Sequence, residues 1–417
     1  MTKKALVLAL VCVLALSVVF AQGAAENNQN VVTLRMEQFS GSEGASSGDA
    51  LKEMIAIFEK ENPGIKVDLQ TIGYDDYFTQ LQSKVVGGNA ADVFELNYEN
   101  FVAYASQGAL MDISSYLSDT SGYNKTALSA FNYQGTQYGV PNSFSNCVMF
   151  YNKDLFDKAG IDYPTNDWTW DDVEKASKKI MALGDNIWGF YRPLTFNEFY
   201  KGVEQSGGKL MTEDGKAFTV NSSEAIETAE KMAGWQIDSK IMPTAADMGG
   251  MGDWDLFKSG RLGMLVTGIW AFGDFGANCD FAWDIVVEPG NTAKAAHFFS
   301  NTYVVSSECK HPEEAAKLAQ FLSGSKEATA LRVQASWELP PVTYTDVLES
   351  YLNMTPPENR EAVFESLNYS VTPPVVVQQA EMSSIIDSYL GQIVSGKMSA
   401  SDAMNACQKE LEKKITL

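Results

Sequence analysis

Aromatic and amide side chains stand where the apparent strands of this sequence should end. They follow three strands, as Gln38, Phe39 and Ser40, then Asn97 and Tyr98, then Trp270. In open α/β sheets, ligands bind beyond the carboxyl ends of the strands. A flat apolar ring beside amides suits a ligand with one C–H face and a rim of hydroxyls, which is the chemistry of a sugar. The alternative is that these rings only cover the edges of a core.

The stretch FKSGRLGMLVTGIWAFG, Phe257 to Gly273, contains one of these rings in an informative setting. Met264, Leu265 and Val266 form an apolar strand, and Trp270 follows after Gly268. We expect the strand to be buried and Gly268 to let the backbone approach a cleft. Trp270 is therefore predicted to cover the apolar face of a ligand.

Catalytic and metal-binding patterns are missing from the sequence. His297 and His311 are not spaced with cysteines or carboxylates as zinc ligands are, so a structural role is predicted for both. The segment Gly44–Gly48 matches GxSxG, but no strand runs directly into its serine. Phosphate-binding and dinucleotide-binding glycine patterns are also missing, so we predict neither a cofactor nor an enzyme. An exported glycoside-active enzyme stays an alternative, and it would need two carboxylates flanking a bond.

The N-terminal residues predict a cleavable signal peptide over residues 1–21. Lys3 and Lys4 precede an apolar run from Ala5 to Phe20, and small residues follow where a signal peptidase reads. The run is shorter than the about 20 residues that span a membrane. Cys12 lies inside the run and not after the small residues of a lipoprotein signal. We therefore predict a periplasmic protein without a lipid anchor.

The charge of the chain excludes some partners. The formal net charge is −22, and loss of the two lysines of the predicted signal peptide makes it −24. Such an acidic surface repels phosphate backbones and anionic lipids. We expect neither nucleic acid nor a membrane as a binding partner.

Four cysteines remain in the predicted mature chain, and none has CxxC spacing. They are Cys147, Cys279, Cys309 and Cys407. An exported chain permits disulfides, but spacing alone assigns no pairing, and free buried thiols are the favoured prediction.

Apolar periodicity predicts the elements that position these side chains. The first part of the chain alternates strands with helices, at Val31–Met36, Leu51–Phe58, Ile65–Leu69, Tyr77–Val86 and Asp92–Leu96. Strands that alternate with helices predict an α/β fold with a parallel sheet. The pattern breaks at Gly139-Val140-Pro141 and resumes with further elements, at Cys147–Tyr151, Asp171–Leu183 after Thr169, Asn301–Val305 and Glu313–Leu322 after Pro312. A chain of 417 residues exceeds what one core usually holds, so we expect two domains.

Five stretches carry a family resemblance. They are TIGYDDYFTQLQSKVVGGNAADVFEL, YGVPNSFSNCVMFYNKDLF, Tyr151–Ile161 followed by TWDDVEKASKKI, FKSGRLGMLVTGIW, and KHPEEAAKLAQFL. In this order they resemble the extracellular solute-binding proteins, family 1, of ABC sugar importers, a group that includes maltose-binding proteins. The resemblance covers essentially the whole mature chain. It implies a two-lobed periplasmic binding protein fold of type II, with three hinge crossings and a ligand cleft between the lobes.

The resemblance also implies lobe boundaries and ligand contacts. The first lobe would comprise residues 28–142 plus 302–341, and the second residues 143–301 plus 342–417. In relatives, the tryptophan at the position of Trp270 stacks on a sugar ring. The other implied contacts are Asn97, Tyr98, Asn142, Ser143, Phe144, Ser145, Tyr191, Arg192, Phe196, Asn197, Asn301, Trp337 and Glu338. Maltodextrin-binding relatives have a charged residue where Ser145 falls, which argues against linear maltodextrin as the ligand.

The implied function is capture of a carbohydrate and its delivery to the permease of an ABC importer. The protein would act as a monomer whose lobes close on the sugar, since the sugar contacts both lobes and selects the closed state. The alternative within this class is a non-sugar solute, either a polyamine or an anionic metabolite. Arg192 is the cleft candidate that could pair with a carboxylate or phosphate.

Overall fold

The computed structural model describes residues 31–40 and 46–417. The predicted signal peptide and the start of the Gly44–Gly48 segment lie outside the described residues. The strands are β1 (Val32–Gln38), β2 (Ile65–Thr71), β3 (Val93–Asn97), β4 (Asn132–Tyr133), β5 (Thr136–Gln137), β6 (Gly139–Asn152), β7 (Trp188–Tyr191), β8 (Leu262–Gly268), β9 (Trp283–Val286), β10 (Ala296–Val305) and β11 (Ser370–Val371).

The helices lie between and after these strands in the sequence, and several of them directly follow a strand. They are α1 (Ser46–Glu61), α2 (Tyr74–Val86), α3 (Tyr98–Ser106), α4 (Lys125–Ser129), α5 (Lys153–Ala159), α6 (Trp170–Met181), α7 (Phe196–Gln205), α8 (Ser223–Ile237), α9 (Ala245–Met248), α10 (Asp253–Lys258), α11 (Phe272–Asn278), α12 (Pro312–Gly324), α13 (Lys326–Gln334), α14 (Thr345–Leu352), α15 (Glu361–Ser366), α16 (Gln379–Val394) and α17 (Ala400–Lys414). Short 3₁₀ helices span Ile269–Ala271 and Leu367–Tyr369.

One sheet runs through the molecule in the strand order β2-β1-β3-β10-β6-β8-β7, with β11 beside β10 and β9 beside β6. β1 is parallel to β2 and β3, and β7 is parallel to β8. β10 is antiparallel to both β3 and β6, so the predicted parallel sheet is wrong at its centre. β10 follows β9, which pairs with the end of β6, so the chain runs back along β6 and lies antiparallel to β3.

β6 and β10 carry the chain across the middle of the molecule. β6 is one strand of 14 residues, although the sequence predicted a break at Gly139-Val140-Pro141. Asn301 pairs with Ser143 while Thr302 pairs with Pro141, which leaves Asn142 as an extra residue in β6. A bulge of this kind tolerates proline, which lacks the N–H that a regular ladder needs. The break was predicted wrongly because the bulge depends on a strand far away in the sequence.

A third segment crosses beside β6. The Phe144 N–H donates to the Leu339 carbonyl at 2.8 Å, and the Leu339 N–H donates to the Phe144 carbonyl at 3.1 Å. The Asn301 amide on β10 donates to the Ser143 hydroxyl on β6 at 3.2 Å. The three crossings therefore lie side by side and are hydrogen-bonded to one another.

Separate apolar clusters lie on the two sides of these crossings. On the β3 side, which we call the first lobe, they use residues from 34 to 140 and from 303 to 337. On the β8 side, the second lobe, they use residues from 147 to 287 and from 333 to 415. Val333 and Leu339 pack with the second lobe although they fall inside the predicted first lobe. The predicted boundaries, 28–142 plus 302–341 and 143–301 plus 342–417, stay a prediction.

Local signals at helix ends gave correct predictions. Thr169 forms a capping box at the start of α6, because its N–H and its hydroxyl both donate to the Asp172 carboxylate, at 3.1 and 2.8 Å. Pro312 is the first residue of α12, as predicted.

The predicted cysteine state is also confirmed. Cys147, Cys279, Cys309 and Cys407 are free, and all except half-buried Cys279 are buried. Within residues 31–40 and 46–417, no helix combines the length and the apolar character that crossing a membrane requires.

Candidate ligand-binding cleft

Strands of both lobes end toward the crossings. Asn97, at the carboxyl end of β3, pairs with Asn301, and Gly268, at the carboxyl end of β8, pairs with Cys147. Side chains that follow these strands therefore line the space between the lobes, on either side of the hydrogen-bonded crossings. We call this space the cleft.

Aromatic rings form the first-lobe wall of the cleft. Phe39 packs against Tyr74 and Phe78, with ring centroids 5.3 and 5.5 Å apart. Tyr74 is 52% exposed, and its hydroxyl lies near the side chains of Asn97 and Glu99. Sequence reasoning missed Tyr74, which lies three residues after β2 at the start of α2, because the strand was predicted to end at Leu69 and the helix to begin at Tyr77. The spacing of Tyr74, Tyr77 and Phe78 in TIGYDDYF was the signal that could have found it.

Asn97 and Tyr98 extend this wall. The Asn97 side chain accepts a hydrogen bond from the Asn100 N–H at 3.2 Å and so caps α3. Tyr98 is half-buried, with its ring edge-on to Phe131 at 6.3 Å. Both predicted residues lie at the cleft, although the Asn97 oxygen is already used by the helix.

A buried carboxylate fixes the end of β1. Glu95 accepts hydrogen bonds from the Ser40 hydroxyl and from the Asn142 amide, the latter at 2.8 Å. Burial raises the pKa of Glu95, while these hydrogen bonds oppose the rise. The Gln38 amide donates to the Ser40 carbonyl at 2.6 Å and accepts from the Tyr303 hydroxyl at 2.9 Å. Gln38 and Asn142 are fully buried beneath the wall, where Gln38 bonds to Ser40 and Asn142 bonds to Glu95. Their contact with a ligand stays a prediction.

The floor of the cleft is polar and contains a buried carboxyl from the third crossing. Glu338 lies against the side chains of Ser143 and Ser145, both on β6. Burial raises the pKa of Glu338 to about 7, although Arg332 and the two serines oppose the rise. Asn301 contributes its amide to Ser143. The structure thus brings the predicted residues Ser143, Ser145, Asn301 and Glu338 together.

Trp337 holds a buried cation and does not open onto the cleft. The Arg332 guanidinium lies over the Trp337 ring, 4.0 Å from its centroid, and 3.8 Å from the Glu338 carboxylate. Trp337 is 4% exposed, so the expectation that its ring faces a ligand is not met. Arg332 itself gave no signal in the sequence because it lies within α13 and follows no strand.

Trp270 lies at the carboxyl end of β8 on the second-lobe wall and is half-buried. Its indole lies across Gly268, where an added Cβ would come within 1.9 Å of the ring. Phe299 meets the indole edge-on, with centroids 5.2 Å apart. Gly268 therefore makes room for the indole, and the expectation that it lets the backbone approach the cleft stays a prediction.

Other aromatic residues extend the second-lobe wall. The Trp254 indole N–H donates to the Thr267 hydroxyl at 3.2 Å, and Thr267 directly precedes Gly268 on β8. Tyr191 ends the neighbouring strand β7 beside Asp253, and burial followed by this charge raises its pKa. Trp254 was missed from the sequence because it begins a short helix. Phe144 stacks on Phe298 at the crossings, at 5.8 Å.

Arg192 is sealed inside the second lobe. Its guanidinium donates to the Glu198 carboxylate at 2.7 Å, lies 3.4 Å from Glu288 and covers the Trp170 ring at 4.3 Å. Arg192 is 1% exposed and already paired with carboxylates of its own lobe, so its pairing with an anionic ligand stays a prediction that this arrangement does not favour. Phe196 is buried at the start of α7, and the next residue, Asn197, is exposed.

A cavity of about 190 Å³ lies within the second lobe and is lined by Arg192, Trp170, Gln205, Thr228 and Trp235 among others. Its buried polar groups find partners inside the lobe. The Trp170 indole N–H donates to Gln205 at 2.9 Å, and the Thr228 hydroxyl donates to Ser206 at 3.0 Å. We therefore take the cleft, and not this cavity, as the candidate site. In the described part of the chain, no group of histidine, cysteine and carboxylate side chains could hold a metal ion.

Comparison with known proteins assigns the family. The family model for bacterial extracellular solute-binding proteins matches residues 41–329. A solved ABC substrate-binding protein from Listeria monocytogenes, in complex with cycloalternan, is 45% identical with a TM-score of 0.88, covering 92% of this chain and 98% of that one. The arabinooligosaccharide-binding protein of Bacillus subtilis is 25% identical over 66% of each chain. A solute-binding protein from Thermotoga lettingae shares the fold at 22% identity, with a TM-score of 0.82, covering 92% of this chain and 99% of that one. The predicted two-lobed type II fold is confirmed, and the chain belongs to the bacterial extracellular solute-binding protein family.

Proposed function

We propose that this protein binds a carbohydrate in the cleft and delivers it to the permease of an ABC importer. The observation that carries the proposal is the pair of aromatic walls, with Phe39, Tyr74 and Tyr98 on the first lobe and Trp254 and Trp270 on the second. Rings of this kind cover the C–H faces of sugars. The Listeria relative, whose structure contains cycloalternan, supports the same ligand class.

The charges near the cleft favour an uncharged ligand. Arg192 and Arg332 are both buried. Arg192 lies against two carboxylates and the Trp170 ring, whereas Arg332 lies 3.8 Å from the Glu338 carboxylate and over the Trp337 ring. Neither guanidinium is exposed to an anionic metabolite in this arrangement of the lobes. We therefore place anions and polyamines behind carbohydrates as ligands.

The carboxyl of Glu338 bears on which sugar is bound. Relatives that bind maltodextrin have a charged residue where Ser145 falls, and here Glu338 from another crossing lies against Ser145. A carboxyl group therefore lies beside β6 here as well, but it belongs to the third crossing and not to β6 itself. We propose an oligosaccharide as the ligand, with cycloalternan as the first candidate and linear malto-oligosaccharides retained.

The proposal also covers the export of the protein and its partners. Family members are extracellular, and residues 1–21 would be the signal peptide that directs this chain to the periplasm. The protein would act as a monomer that binds without turnover and docks on the membrane subunits of its permease.

A thermal-shift panel tests the proposal. The panel contains cycloalternan, arabino-, galacto- and malto-oligosaccharides, with spermidine and citrate as charged controls. A cognate sugar at a hundred times its Kd should stabilise the fold by about 2.7 kcal/mol, since it binds only the folded state. A shift with a charged control and with none of the sugars would overturn the carbohydrate assignment. Chromatography of the sugar after prolonged incubation should show it unchanged, whereas shortened products would support the enzyme alternative.

A further inference from the structure

One hydrogen bond joins the two lobes directly beside the cleft. Glu99 is the second residue of α3, next to Tyr98 on the first-lobe wall. His297 is the second residue of β10, on the second-lobe side of the register shift at Asn301. The His297 Nε2 and the Glu99 Oε1 are 3.1 Å apart, and both side chains are buried. The sequence predicted only a structural role for His297.

The His297 ring continues the contact into the second-lobe wall. It stacks on Phe299 with centroids 3.5 Å apart and an angle of 13° between the planes. Phe299 in turn meets the Trp270 indole edge-on at 5.2 Å. On its other side His297 meets the Tyr200 ring at 5.3 Å. The Glu99 carboxylate of the first lobe is therefore connected, through the His297 and Phe299 rings, to Trp270 of the second lobe, which is predicted to stack on a sugar.

Neither partner has a second hydrogen bond at its remaining polar atom. Glu99 Oε2 and His297 Nδ1 are buried without a partner among the described residues. Burial lowers the pKa of His297, and Glu99 opposes this effect, so the net shift favours the neutral ring. A neutral ring has one N–H, and with that N–H at Nε2 it donates to the Glu99 carboxylate. Glu198 and Lys201 on α7 also act on the ring electrostatically. Separating Glu99 from His297 would leave both groups unsatisfied until water reached them, and such a loss is costly.

We propose that Glu99 and His297 form an interlobe latch that holds the first lobe against the ring stack supporting Trp270. Both are positioning residues, since they act on the ligand through the lobe arrangement and the Trp270 platform. The ligand readout rests on the proposed carbohydrate function, whereas the lobe arrangement can be measured without any ligand.

A double-mutant cycle tests the latch. Glu99→Ala removes the acceptor, and His297→Phe keeps a ring on Phe299 while removing the donor. Each should weaken binding of the sugar identified by the panel by roughly tenfold, within the usual range of coupling between sites. The double variant should bind the sugar no more weakly than either single variant, because the two substitutions remove the same hydrogen bond. Glu99→Gln is the matched control, since its amide oxygen can still accept from His297, and it should retain affinity.

The unliganded protein gives the independent readout. Spin labels at Val86 on α2 and Ile237 on α8, both exposed, report the distance between the lobes in a Cys279→Ser background. Glu99→Ala and His297→Phe should broaden or lengthen this distance, and Glu99→Gln should leave it as in the unmodified protein. Unchanged distances, or additive losses of affinity in the double variant, would overturn the latch. If no sugar binds the unmodified protein, the proposed function fails while the distance measurement still decides the latch.

Discussion

Trp270 combines a ligand-facing position with a packed one. Its indole is half-buried, rests on Gly268 and meets Phe299 edge-on. Phe299 supports one edge of the ring, which limits the orientations that the ring can take. A platform that is already oriented loses less conformational entropy when a sugar binds.

Trp270→Ala should therefore weaken sugar binding much more than it destabilises the fold. Stacking on a flat ligand contributes on the order of 1–3 kcal/mol, which is roughly a tenfold to hundredfold change in Kd. The free energy of unfolding should fall by less than the about 3–5 kcal/mol typical of a truncated core tryptophan. Titration calorimetry and urea unfolding measure the two quantities. Unchanged affinity together with a large loss of stability would show that the ring belongs to the core.

Gly268→Ala tests whether the backbone beneath the indole sets its position. The new Cβ would lie 1.9 Å from the ring, so the indole must move. We expect weaker sugar binding and altered tryptophan fluorescence, with a modest loss of stability of about 1–3 kcal/mol from overpacking. Gly184→Ala is the matched control, because an added Cβ there meets nothing within 4 Å. Equal affinities for the two variants would contradict this role of Gly268.

At the scale of elements, the crossings show what periodicity can and cannot predict. Helical and alternating patterns identified α1, α2 and the strands β1 to β3, because those signals are local. They missed that β6 continues through Pro141, because the bulge at Asn142 exists only when β10 pairs alongside. They also missed Tyr74 and Trp254, which begin helices. The family resemblance predicted the two lobes. It could not show that Arg192 pairs with a carboxylate of its own lobe or that Trp337 lies against a buried arginine.

The third crossing should make stability depend on pH through Glu338. Its pKa in the folded state, about 7, is above its ordinary value of 4.5, so the folded protein favours the protonated carboxyl. That contribution is complete below about pH 4.5 and is lost as the pH rises through about 7, amounting to on the order of 3 kcal/mol. Glu338→Gln mimics the protonated form and should lack this fall.

Urea unfolding between about pH 5 and pH 8 measures the free energy of unfolding of Glu338→Gln and of the unmodified protein. Their difference isolates the effect of Glu338, because the other carboxyls are common to both proteins. The two stabilities should be similar at the acidic end, with the variant more stable at the basic end. Glu213→Gln, at a side chain that is 89% exposed, is the control and should follow the unmodified protein. Parallel pH profiles for Glu338→Gln and the unmodified protein would refute the assignment.

The whole molecule has the arrangement that a hinge requires. Apolar clusters lie on either side of three adjacent crossings, and Val333 on α13 packs across them, so rotation about the crossings leaves most of each core intact. A ligand that touches both walls stabilises the closed arrangement by its differential affinity. Ligand binding should therefore reduce the overall dimensions of the molecule.

Saturating sugar should lower the radius of gyration measured by small-angle X-ray scattering. The comparison is made with the same protein in the presence of spermidine, which should leave the scattering unchanged. Identical curves with and without a sugar that binds by calorimetry would mean that the lobes do not close in solution.

The central position of β10 constrains how the chain can fold. Thr302 on β10 pairs with Leu96 on β3 and with Pro141 on β6, so a strand made late in synthesis completes a sheet begun much earlier. Until β10 has emerged, β3 and the start of β6 each present an unpaired edge, and α12 and α13 of the same lobe do not yet exist. Pairings between such distant residues form slowly, because a long loop must close first. The first-lobe cluster that packs Leu34, Met36 and Phe58 against α12 and α13 is therefore complete only after residues 303–337 have been made.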